Sequence, residues 1–90
     1  MASHSSSERR ARRSERLRLR NRMWKSKLKT LKKKLEDAIS EKKTDAVGPL
    51  FISYVSAVDS AASRGVIHKR NAARKKSRMA LKVNGLKTAG

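Results

Sequence analysis

Residues 65–79, GVIHKRNAARKKSRM, gather cations with no acid among them. Arg70, Arg74, Lys75 and Arg78 can each hold a phosphate oxygen by a charge-assisted hydrogen bond, and Lys69 adds positive charge to the same stretch. Asn71 and Ser77 are neutral donors suited to the same ligand. His68, at the head of the stretch, can either cap a helix or donate to a phosphate. On a helical wheel Arg70, Asn71, Arg74, Lys75, Arg78 and Lys82 share an arc of roughly 140°, while Ala72, Ala73, Met79, Ala80, Val83 and Leu86 occupy the other side. The spacing therefore predicts a helix with one phosphate-binding face and one core face.

A second stretch of the same chemistry is NRMWKSKLKTLKK at residues 21–33. Here Asn21, Arg22, Lys25, Ser26, Lys29, Thr30 and Lys33 surround an apolar stripe. Ser and Thr gain nothing from helix propensity, so their presence points to a polar partner outside the helix. Trp24 lies on the stripe and is expected in the core, not as a platform for base stacking. Upstream, Arg9, Arg10, Arg12, Arg13, Arg16, Arg18 and Arg20 point in nearly every direction around a helix. A helix polar all round is either unstable alone or bridges something else, and with this charge the something is phosphate.

Other chemistries find no residues to carry them. Two histidines, at 4 and 68, no cysteine, no glycine-rich phosphate loop and no paired carboxylates leave no catalytic residue, metal set or cofactor site to propose. Asp59 is expected to pair with a nearby lysine. Absence of cysteine also removes any disulfide framework and fits a reducing compartment. The start, MASHSSSERRARR, runs directly into charge without the apolar stretch of a secretory signal, and Glu8 and Glu15 interrupt any transit-peptide pattern. No run of about 18 apolar residues is present to span a membrane.

The charge is placed, not spread. Of 25 Lys and Arg, sixteen fall in residues 1–43 and nine in residues 64–90, while residues 44–63 carry none and hold two acids. A net charge of +18 on 90 residues repels itself, so a polyanion is expected in the native state. Only three aromatics occur, and the prevalence of Ala, Leu, Lys and Arg favours helix over strand.

We read a single all-α domain over residues 1–90, a three-helix bundle with a long, overhanging first helix. Ser5 and Glu8 have capping-box spacing and open helix one at about residue 6, which runs to 40 with Leu17, Trp24, Leu28, Leu31, Leu35 and Ile39 on one face. Helix two is expected at 45–64, opened by Thr44 or by Gly48 with Pro49 then in its first turn, and with Leu50, Phe51, Tyr54, Val55, Val58, Ala61 and Ala62 on its apolar side. Gly65 suits a left-handed stop with Val66 as the accompanying apolar contact, and helix three follows at 67–86. Helix one would span about 50 Å and its partners about 30 Å. Helix two should reach back to about residue 22 and leave residues 8–20 without protein beside them.

These two basic stretches, joined by the middle segment from Thr44 to Arg64, resemble the bacterial and plastid small-subunit ribosomal protein twenty family over nearly the whole chain. The similarity is strongest at Gly65–Met79, good at Asn21–Lys33, and includes Asp59. Members typically have Asn directly after the His-Lys pair, where this chain has Arg70, with Asn71 one place later. Its N-terminal segment is richer in Ser and Arg than the usual Lys-rich form. The resemblance implies a structural protein in the small ribosomal subunit of the cytoplasm or a plastid, binding ribosomal RNA directly. Neighbouring ribosomal proteins are possible partners, with no membrane and no homo-oligomer expected. Two rival readings fit less well. A DNA-binding basic zipper would need a longer stripe than one ending at Ile39, and a membrane-surface protein would need bulky exposed apolar anchors.

Overall fold

The computed structural model describes residues 2–89, with side-chain surroundings for residues 6–86. Three helices follow one another, α1 (Ala2–Ser40), α2 (Thr44–Ser63) and α3 (Lys69–Ala89), and no strand occurs among the described residues. The molecule measures 67 × 21 × 14 Å, because α1 runs far beyond its partners. Every side chain from Ser6 to Arg20 is exposed.

The core follows from the apolar spacing. Leu28, Leu35 and Ala38 of α1 pack against Val47, Tyr54, Ala57, Val58 and Ala61 of α2, and Ala72, Met79 and Val83 of α3 close the other side. Leu35 and Val58 are fully enclosed. Burial of side chains of this size contributes about 1.5–3 kcal/mol each. The helix without cations, α2, is the one sandwiched between the other two; α1 and α3 touch each other sparsely. A lysine on either buried side of α2 would need a buried partner, and its residues 44–63 contain none.

Both turns are closed by the same hydrogen-bond pattern. After α1, the Lys42 N–H donates to the Ile39 carbonyl (3.1 Å) and the Lys43 N–H to the Ala38 carbonyl (2.9 Å), with Lys42 at φ 57°. After α2, the Gly65 N–H donates to the Ala62 carbonyl (3.1 Å) and the Val66 N–H to the Ala61 carbonyl (2.9 Å), with Gly65 at φ 75°. Each pair satisfies two carbonyls that a helix end leaves free. At Gly65 an added Cβ would meet no atom within 4 Å, so the penalty for a side chain there is backbone conformation alone. Gly65→Ala is therefore expected to cost about 1 kcal/mol net of the entropy it removes from the unfolded chain. Thermal melting should show this as a fall of about 4–8 °C.

Several expectations need correction. Helix α1 begins at Ala2, so Ser5 lies inside it and the Ser5–Glu8 spacing is not a capping box. Leu17 is 40% exposed, since no partner reaches that far along α1. Pro49 sits at the sixth residue of α2, not in its first turn, and deprives the Asp45 carbonyl of a helical partner at an exposed position. Helix α3 starts at Lys69, two residues later than expected, and runs to Ala89. The delay has a cause: Val66 and Ile67 turn inward to pack on the core. Ala73, expected in the core, is exposed.

Candidate nucleic-acid interface

The head of α3 is shaped by His68. Its Nδ1 accepts a hydrogen bond from the Arg70 backbone N–H (3.1 Å), while its carbonyl accepts from the Ala72 N–H (3.0 Å). His68 is thus the residue that caps α3. Capping fixes where the following turns point: Asn71, Lys75 and Arg78 fall on the side facing α1, and Lys69, Arg70, Arg74 and Ser77 are exposed on the rest of the helix.

On α1, Arg18, Asn21, Arg22, Lys25, Ser26 and Lys29 line one open groove. Lys25 and Lys29 also form the wall of a second groove, which lies between α1 and α3 and is completed by Lys32, Asn71 and Lys75 over a floor of Leu28, Tyr54 and Ile67. Lys32, Tyr54 and Lys75 in turn continue into a third, which adds Arg78, Met79, Leu81 and Lys82. The three share residues and form one basic track from Arg18 on α1 into the α1–α3 cleft. Arg9, Arg12 and Arg16 line a separate shallow groove on the overhanging part of α1, next to Glu15. Arg10, Arg13, Thr30 and Lys33 are exposed outside all of these.

Acids mark the edges of this surface. Glu36 accepts a hydrogen bond from Lys82 (3.1 Å) and lies 3.9 Å from Lys32, and Asp59 pairs with Lys76 at 2.8 Å, as its chemistry predicted. Lys43, in the α1–α2 turn, pairs with Glu41 at 2.9 Å, and that hydrogen bond raises its pKa. Among the described residues none of the cations expected to bind phosphate forms an ion pair. Their charge is available to a ligand.

Arg20 is a partial exception. One of its guanidinium N–H groups donates to the Arg64 carbonyl (3.1 Å), at the end of α2 where the helix leaves carbonyls free. The remaining donors of the fork are unused. Arg64 in turn lies over Trp24 (5.3 Å to the ring centroid), and Lys27 lies over the same ring at 5.0 Å. With both cations on it and its edge packed on the core, Trp24 is a structural residue. Helix α2 thus engages α1 as far back as Arg20, slightly beyond the expected limit at residue 22.

Two further polar groups border the track. Asn21 is half-buried, and its Oδ1 is the one enclosed side-chain nitrogen or oxygen among the described residues with no partner. Tyr54 is 2% exposed, and burial, with the nearby Glu36 carboxylate adding to it, raises its pKa above the ordinary 10.0. Its phenol therefore stays protonated at neutral pH. Arg18, one of the arginines spread around the overhanging part of α1, joins this track, and Lys32, not among the expected contacts, joins it too; they lie at i−7 and i+7 from Lys25, where a wheel places them with it. The sequence reasoning treated Tyr54 as a core residue alone, and no spacing rule distinguishes a tyrosine that is wholly enclosed from one whose edge borders a cleft.

Among the described residues no cluster of His, Cys, Asp or Glu could hold a metal ion, and no helix is long and apolar enough to cross a membrane. The arrangement is that of a cation-lined surface suited to a ribbon of phosphates.

Comparison with known proteins agrees in kind. The family profile described as ribosomal protein S20 matches residues 2–84. A small ribosomal subunit protein bS20 of Clostridium beijerinckii is 48% identical over 86 residues, covering 96% of this chain and 99% of its own. The bS20 of Clostridium acetobutylicum is also 48% identical, covering 96% and 98%, and that of Mycobacteroides abscessus is 45% identical, covering 96% and 100%.

Proposed function

Because the chain belongs to the ribosomal protein S20 family, we propose that it is a structural constituent of the small ribosomal subunit that binds small-subunit ribosomal RNA directly and supports its folding. The observation that carries this reading is the continuous track of cations from Arg18 into the α1–α3 cleft, of which only Lys32 and Lys82, both at Glu36, are in ion pairs. Its mechanism is counter-charge placement. RNA segments brought together repel through their phosphates, and a bundle that fixes two basic helices relative to each other holds both segments at once. The overhanging arginines from Arg9 to Arg18, all exposed, extend the same charge some tens of ångströms beyond the core.

Recognition comes from RNA shape more than base edges, since the deep, narrow major groove of an A-form helix admits few side chains. The role is structural and not enzymatic, and the protein resides in the small subunit in the cytoplasm. Neighbouring ribosomal proteins are contacts of secondary weight, for which the exposed apolar face of α2 around Ile52 is available.

Salt dependence tests the mechanism. If eight to ten phosphates are neutralised, affinity for small-subunit ribosomal RNA should fall by about 10³–10⁵ between 50 and 200 mM salt. Filter binding across that range is the measurement. Affinity nearly independent of salt would contradict counter-charge placement, and sedimentation of the cellular protein apart from small subunits would contradict the assignment altogether.

A further inference from the structure

Tyr54 comes from α2, the one helix with no cation, yet it forms the floor shared by both grooves of the α1–α3 cleft. A phenol this deeply buried ordinarily finds a hydrogen-bond partner within the protein. Here, among the described residues, its hydroxyl has none. Nor is that oxygen sealed in, because among the described residues Asn21 Oδ1 is the one partnerless side-chain polar atom that is enclosed. The 2% of Tyr54 that remains exposed therefore includes its hydroxyl oxygen, and the grooves it lines are where that oxygen meets solvent.

The walls on either side supply charge, and the acid near Tyr54, Glu36, is already engaged by Lys82 and Lys32. Lys25 and Lys29 stand on α1 and Lys75 and Arg78 on α3, none of them in an ion pair. Building on the RNA-binding reading above, we propose that the cleft seats a backbone phosphate of the bound RNA over Tyr54, whose hydroxyl donates a hydrogen bond to a phosphate oxygen between Lys29 and Lys75. A phosphate oxygen is an acceptor only, which matches a phenol that keeps its proton. Held there, the phosphate also fastens α1 to α3, two helices that otherwise meet sparsely and communicate through α2.

The test uses the full chain, small-subunit ribosomal RNA transcribed in vitro, and Tyr54→Phe. Removing a hydroxyl that has no partner in the free protein should leave helicity and melting temperature unchanged. Affinity should fall about tenfold, as for loss of one hydrogen bond to a charged group. The slope of affinity against salt should stay as in the wild type, because no cation is lost, whereas Lys75→Ala should lower both affinity and slope. Phosphate-ethylation interference should locate one phosphate whose modification weakens the wild type and has no further effect on Tyr54→Phe. Wild-type affinity in Tyr54→Phe, or an interference pattern identical in the two proteins, overturns the proposal while leaving salt-dependent RNA binding intact. Loss of salt dependence in the wild type itself would instead remove the RNA-binding reading on which the proposal stands.

Discussion

Val83→Asp is expected to destroy the cooperative fold and, with it, RNA binding. Val83 is 4% exposed on the inner side of α3, in one cluster with Met79 and the apolar residues of α2. An unpaired carboxylate placed there loses its hydration and gains no partner, at a cost of about 3–5 kcal/mol. A chain of this length has roughly 5–13 kcal/mol in total, so the variant should lose about 15 °C or more in melting temperature, or fail to melt cooperatively at all. Circular dichroism against temperature reads the fold, and filter binding reads the consequence. Val83→Ala, which removes two methyl groups and adds no charge, should be destabilised by less and bind nearly normally once folded. If Val83→Asp melts and binds like the wild type, the inner face of α3 has been misassigned.

Arg74→Glu should separate binding from folding in the opposite sense. Arg74 is exposed and has no ion pair, and it lies in a segment, residues 64–90, that holds nine cations and no acid. Reversing its charge relieves repulsion among those neighbours, so melting temperature should be unchanged or slightly higher. RNA affinity, by contrast, should fall about tenfold or more, because a phosphate contact is lost and a negative charge is set against the backbone. The salt slope should shrink by about one phosphate equivalent. Incorporation into small subunits, followed by sedimentation, should slow in parallel. Unfolding of Arg74→Glu would mean that the residue packs in the core and not on the RNA side.

These two variants test opposite faces of one helix, and both faces were legible from spacing. The 3.6-residue period placed Met79 and Val83 inward and Arg74 outward without reference to any other element. Gly65 was equally readable, since a left-handed stop between two amphipathic helices favours the residue with no Cβ. The α1 stop was not. Lys42 takes the same left-handed conformation at φ 57° without being glycine, and a lysine carries no signal for it. Nor could a wheel show that Leu17, in register with Leu28 and Leu35, has nothing to pack on. That depends on where α2 ends in space.

The candidate interface divides in the same way. That α1 and α3 are basic, that α2 is not, and that a polyanion is therefore expected against the two basic helices follows from composition and period alone, because charge and helical phase are local properties. Which cations share one track depends on how the helices cross. The joining of Lys25 and Lys29 to Lys75 in one cleft, the use of Arg20 to cap the end of α2, and the opening of Tyr54 onto the cleft floor each bring together residues more than twenty positions apart. Such contacts are set by the packing of α2 between its neighbours, and no periodicity within a single helix encodes them.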